Sequence, residues 1–178
     1  MVTTAFNTTL KPATLALAVS LAWSLPAASQ ESSPWQRCNR ADVKALKVFT
    51  VGEAALYRQN CDAADLLAPP LKLSFRYFRE VPGDAFGKAA MHFLEKNLPA
   101  SQFTRLEPEL KSFNQHYQDV DDGDRYVLVY EDGGLTLTLN GQALAEQQGD
   151  DFARAYLTIW FGQAPYSETM KETLLGQR

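Results

Sequence analysis

The sequence predicts an α+β domain: an antiparallel sheet with helices gathered on one of its faces. Three observations carry that prediction. From Arg125 to Gly141 two β-rich runs flank Asp132-Gly133-Gly134, where glycine supplies the positive φ that tight hairpin turns need. Leu71, Leu73, Phe75 and Tyr77 alternate with Lys72, Ser74 and Arg76, a period of two that sends the apolar set to one face. The helical patterns fall in groups between and after the strands instead of alternating with them, which is how helices come to share one side of an antiparallel sheet.

At 178 residues the chain suits one domain with a real core, and its first segment stands apart from it. Lys11 precedes an apolar run from Ala13 to Leu25, and the small residues Pro26-Ala27-Ala28-Ser29 follow. That is the layout of a secretory signal over residues 1–29, leaving a domain of 30–178 that is periplasmic or secreted. The apolar run is short for a membrane span, so no stable insertion is expected after cleavage. Removing residues 1–29 takes Lys11 and no acid, leaving 16 basic and 21 acidic residues, net −5. That charge argues against nucleic acid and anionic lipid as partners. Cys38 and Cys61 both survive cleavage, and in an exported protein they can oxidise to a Cys38–Cys61 disulfide. Two cysteines without neighbouring histidines supply too few ligands for a metal site.

Gln30 to Gln36 is polar, a frayed start. Val43 to Tyr57 is rich in β-branched and aromatic residues, giving one or two strands with a bulge or bend at Gly52. Cys61 to Pro70 is a connection closed by Pro69-Pro70, and the alternating strand from Leu71 follows. Pro82-Gly83-Asp84 ends that strand, with Asp84 placed to cap a helix whose face is Phe86, Ala89, Ala90, Phe93, Leu94 and Asn97. Pro99 stops it. A second helix starts at about Thr104 or Pro108 and runs to Tyr117, with Leu106, Leu110, Phe113 and Tyr117 along one side.

Asp119 to Asp124 holds four acids and a glycine. It reads as a solvated turn in preference to a calcium loop, because the 12-residue EF-hand pattern is missing. The hairpin comes next: Tyr126 to Tyr130 has no polar residue and belongs inside a sheet, and Leu135, Leu137 and Leu139 alternate with Thr136, Thr138 and Asn140. Gln142 to Glu146 continues the strand past a bulge at Gly141. Gly149-Asp150-Asp151 opens a helix with face Phe152, Ala155, Tyr156, Ile159 and Trp160, acids at its positive end. Gly162 ends it, and Ser167 caps a short last helix.

Motifs for generic chemistry are thin. The chain has no Gly-rich phosphate loop, HExxH, GxSxG or CxxC, so no cofactor is expected. His92 lies beside the apolar face of the Phe86–Asn97 helix; a haem or other planar ligand is a minor option for it, and a surface or satisfied core histidine the plainer reading. His116 sits in a polar run, and the carboxylates are scattered, with no pair set for acid–base work.

Four stretches resemble the bacterial branch of the chalcone isomerase-like family. Cys38-Asn39-Arg40-Ala41-Asp42-Val43-Lys44 resembles its first strand, leucine-asparagine-glycine-x-glycine-valine/isoleucine-arginine. Phe49 to Tyr57 resembles the next strand, with Ala55-Leu56-Tyr57 where glycine-leucine-tyrosine or glycine-valine-tyrosine is usual. Asp122-Gly123-Asp124 through Asn140-Gly141 resembles the Gly-Asp, strand, turn, strand, Asn-Gly pattern. Ile159-Trp160-Phe161-Gly162-Gln163-Ala164-Pro165 with Leu174-Leu175-Gly176 resembles the closing motifs and is the most specific of the four.

The resemblance implies an open-faced β-sandwich, a large antiparallel sheet with a helix layer on one face and a pocket between. It also implies one of two activities. Plant members cyclise chalcones to flavanones, an arginine on the first strand guiding the phenolate and a threonine, a tyrosine and an asparagine assisting. Other relatives do no chemistry and hold fatty acids. Carried over, the arginine position falls on Lys44, which keeps the charge and loses the bidentate fork. The threonine position falls on or near Gly52, with Thr50 two residues away and, on a regular strand, facing the same way. The tyrosine and asparagine positions fall on Phe86 and Phe93. Each oriented hydrogen bond lost this way costs about 2.7–4 kcal/mol in a transition state.

The expected function is therefore non-catalytic binding of an apolar or amphipathic small molecule such as a fatty acid. Phe86, Ala90 and Phe93 would hold the tail and Lys44 the carboxylate; against that, Lys44 can be an ordinary strand-surface lysine. The alternatives are weak isomerase activity through Lys44 and Thr50, and a fold kept for interaction with no pocket.

Overall fold

A computed structural model describes residues 1–3, 35–45 and 48–177. The chain divides into residues 1–32 and 33–178, and the following concerns the second unit. The expected leader lies, beyond residues 1–3, outside the described residues.

Six strands form one antiparallel meander: β1 (Gln36–Ala45), β2 (Phe49–Arg58), β3 (Leu71–Tyr77), β4 (Arg125–Glu131), β5 (Gly134–Leu139) and β6 (Gln142–Gln148), side by side in chain order. Helices α1 (Gly83–Asn97) and α2 (Ala100–Asn114) lie between β3 and β4; α3 (Asp150–Phe161) and α4 (Glu168–Leu174) follow β6. Register builds the core in rows. Leu56, Leu73, Leu128 and Leu137 stand opposite one another across four strands, as do Ala54, Phe75, Tyr126 and Leu139 in the next row. The face these rows share is buried together with Leu94, Leu110, Phe113, Phe152, Tyr156 and Leu157 of the helices. The sheet with helices on one side is as the sequence predicts.

Cys38 and Cys61 are joined, with 5.4 Å between their Cα atoms. The bond ties the start of β1 to the β2–β3 connection, and closing a loop of this size is worth about 3 kcal/mol. Asn97 is a second tie. Its Nδ2 donates to the Ala164 carbonyl at 2.9 Å and its Oδ1 accepts from the Ala164 N–H at 2.8 Å. A Cβ on Gly162 would lie 2.2 Å from Asn97 Oδ1, so the glycine of the Trp160-Phe161-Gly162 motif is there for close approach.

Several details differ from the expectations. β1 begins at Gln36; its first residues, Gln36 to Arg40, are mostly polar and give no apolar alternation, which starts only at Ala41. The bulge near Gly52 is made by Val51: Val43 pairs with Gly52 and Lys44 with Thr50, leaving Val51 as the extra residue. Gly52 itself serves strand contact, since a Cβ there would lie 2.3 Å from the Arg76 carbonyl oxygen. Asp84 does not cap α1. It sits in the first turn paired with Lys88 at 2.6 Å, and the Gly83 N–H donates instead to Asp119 Oδ1 at 2.7 Å.

α2 starts at Ala100 and carries Pro108 on an exposed side. Within the acid turn Asp124 accepts from the Asp121 N–H and from Asn140 Nδ2, so its carboxylate shapes the loop. The β4–β5 turn is Asp132-Gly133, φ 50° and 75°, with Gly134 already in β5. Gly141 belongs to a second tight turn, Asn140-Gly141 with φ 52° and 84°, and not to a bulge. The irregularity in the β5–β6 pairing sits between Leu137 and Thr138.

Candidate functional site

Two hollows adjoin Tyr166. The larger, about 790 Å³, is a polar cleft along β1, lined by Arg40, Asp42, Lys44 and Glu53 and by the residues leading into α4. Its charges are already matched in sign, with Arg40 3.6 Å from Glu53. The smaller, about 470 Å³, lies between the sheet and α1 and is apolar. Its volume falls within the range of small-molecule pockets.

The floor of the apolar cavity is one end of the sheet face: Val43, Val51, Phe75, Tyr77, Tyr126 and Leu128. Its roof on the α1 side is small, with Ala85, Ala89 and Ala90 beside Phe86, and Ile159, Trp160 and Tyr166 complete the wall. Alternation along β3 and β4 points Tyr77 and Tyr126 inward with Phe75 and Leu128. Phe86 fixes the aromatic group, its ring centroid 5.3 Å from those of both Tyr77 and Tyr126 and 5.4 Å from that of Tyr117.

The sequence-predicted site residues separate into two groups. Phe86 and Ala90 line the cavity. Phe93 does not: it lies behind the wall, packed edge-on against Tyr166 at 5.7 Å. Lys44 projects from the other face of β1, because Val43 and Ala45 on either side of it take the inward positions; it borders the polar cleft. Thr50 goes with it. The extra residue at Val51 reverses the alternation of β2, so Val51 turns inward and Thr50, paired with Lys44, turns out. His92 is exposed, edge-on to Phe93, and His116 Nδ1 lies 2.9 Å from the Ser112 carbonyl oxygen; neither borders the cavity.

Among the described residues no charged side chain lines the cavity; the polar side-chain groups of its lining residues are four tyrosine hydroxyls and the Trp160 indole N–H. Sequence reasoning missed the tyrosines as a set. The period of two could have found Tyr77 and Tyr126; Tyr166, in a loop, gave no signal. Three of the four hydroxyls are spoken for. Tyr117 Oη lies 3.1 Å from Tyr156 Oη, and Tyr126 donates to the Gln118 carbonyl at 2.8 Å and accepts from its N–H. Tyr166 donates to the Lys44 carbonyl at 2.9 Å.

Burial raises the pKa of all four phenols. Tyr77 and Tyr117 shift far, the hydrogen bond with Tyr156 offsetting only part of the effect at Tyr117. All four are neutral hydroxyls near pH 7. A cavity with this lining can hold an apolar body by contact. Among the described residues its lining has no carboxylate or imidazole to move a proton and no cation to steady a developing enolate.

No curated protein matches the sequence. Among solved structures the fold is similar to the crystal structure of an Arabidopsis thaliana fatty-acid binding protein, with a TM-score of 0.58 at 14% identity over 82% of this chain and 89% of that one. A likeness at that identity concerns the fold. The family model described as chalcone isomerase-like matches residues 38–176, from the disulfide cysteine of β1 to the turn after α4, and the chain belongs to the chalcone isomerase-like family.

Proposed function

We propose that this protein binds an apolar or amphipathic small molecule in the cavity between the sheet and α1, without transforming it. The lining carries the reading: alanines, valines and aromatic rings around about 470 Å³, and no charged group among the described residues. A fatty acid is the first ligand to try, since the similar plant structure is named for binding one. With Lys44 on the far face of β1, the tail would occupy the cavity and an ionised carboxylate would stay at the mouth, in water. The secretory layout of residues 1–29 and the Cys38–Cys61 bond support an oxidising, exported setting.

The test is a titration of saturated fatty acids of rising chain length against the domain from Gln30 onward. Affinity should tighten about fourfold per added methylene until the cavity is full, as burying about 0.8 kcal/mol per CH₂ requires. Lys44→Ala should leave Kd within about twofold. No binding at any chain length, or a large loss in Lys44→Ala, would overturn the reading. Chalcone absorbance should decay at the spontaneous rate with the protein present.

A further inference from the structure

Tyr77 is the cavity hydroxyl without a hydrogen-bond partner among the described residues. Its side chain is only 6% exposed. Yet the sealed, unpaired polar atom among the described residues is Asn114 Nδ2, not Tyr77 Oη, so the phenol keeps an accessible side, and the hollow it borders is the apolar cavity. The other three tyrosine hydroxyls of the lining are held by Tyr156, Gln118 and Lys44, and are not free to turn toward a ligand. A buried hydroxyl left unpaired costs free energy, and a ligand that completes its bond recovers that cost.

The same surroundings decide what the ligand's polar group is. A carboxylate brought to Tyr77 would leave water for a site with no cation among the described lining residues, and one neutral phenol does not offset that desolvation. An alcohol, ester carbonyl or protonated acid is desolvated far more cheaply and bonds the phenol equally well in geometry.

We infer that the cavity selects uncharged amphipathic ligands, a hydroxyl or carbonyl oxygen bonding Tyr77 Oη and the hydrocarbon lying between Phe86, Ala89 and Trp160. This rests on the binding reading above and narrows it to a polar group that carries no charge inside the cavity. Burial, with the neighbouring Tyr117, Tyr126 and Tyr166, holds Tyr77 in its neutral form across the physiological range.

Displacement of the neutral probe N-phenyl-1-naphthylamine separates the two levels of the argument. Dodecan-1-ol should displace the probe at least tenfold more effectively than dodecanoate at pH 8, and dodecanoate should gain on the alcohol as pH falls toward 5. Tyr77→Phe should weaken dodecan-1-ol about five- to tenfold more than it weakens the probe itself, the loss typical of one hydrogen bond. Equal displacement by dodecanoate and dodecanol at pH 8, or an unchanged alcohol in Tyr77→Phe, overturns the selectivity and leaves the binding reading standing. A probe that does not bind the wild-type protein overturns both.

Discussion

The two ends of one sheet face are filled differently. At the end formed by Leu71, Leu73, Leu135 and Leu137, all fully buried, the helices bring large side chains: Phe152, Tyr156 and Leu157, with Phe113 stacked edge-on against the first two. At the other end Val43, Val51, Phe75 and Tyr77 meet the α1 face, and that face offers Ala85, Ala89 and Ala90. Both ends belong to the same antiparallel sheet, the open end carrying the bulge at Val51. Side-chain volume on the covering helix leaves one end close-packed and the other open, which shows that a binding cavity can come from small residues alone, with no change of fold.

The largest expected effect lies at the packed end. Leu137→Ala removes a fully buried side chain from the β5 end of the leucine row and should cost about 2–5 kcal/mol in urea unfolding, because close-packed neighbours cannot collapse into the hole. A cost under 1 kcal/mol would show that this end too is loosely filled.

The next effect is in pH. Tyr77, Tyr117 and Tyr156 have raised folded pKa values, burial being the main cause. The stability they contribute is fully present below the unfolded tyrosine value of about 10 and is lost as pH rises through their folded values. Unfolding free energy should therefore fall above pH 10, by about 1.4 kcal/mol per pH unit for each such tyrosine. Tyr77→Phe should flatten the slope by one tyrosine's share. Ionisation of all seven tyrosines near pH 10 in the native protein, read at 295 nm, would contradict the burial that the comparison rests on.

The smallest stability effect belongs to the open end. Ala89→Trp puts bulk into existing space and should change unfolding free energy by less than about 1 kcal/mol, unlike overpacking in a filled core. Binding of the neutral probe should nevertheless fall at least tenfold. Intact binding in that variant would place the ligand elsewhere, and a loss of several kcal/mol would mean that the α1 end is already full.

These differences mark what could be read from residues alone. The leucine alternation in β3 and β5, the Asp132-Gly133 turn and the apolar run of β4 are local patterns with fixed periods, and they sufficed for the sheet and its buried face. The motif ending at Gly162 was legible as family resemblance, but its physical reason, the approach of Asn97, needed a residue 65 positions away in sequence. Phe86 and Ala90 were found because helical spacing puts them on one face. Phe93 has the same spacing, yet the path of the loop through Tyr166 screens it from the cavity.

By itself, then, the sequence determined the class of fold, the inward face of the central strands and two of the four α1 residues that roof the cavity, Phe86 and Ala90, since each follows from short-range periodicity. Tertiary structure decided the rest. One extra residue at Val51 turned Thr50 away, and strand alternation with Val43 and Ala45 inward sent Lys44 to the opposite face. Pairing of three tyrosine hydroxyls with distant partners left Tyr77 free. The reason is that parity at a bulge and the satisfaction of a buried hydroxyl both depend on which strand or loop lies opposite, and no local pattern records that.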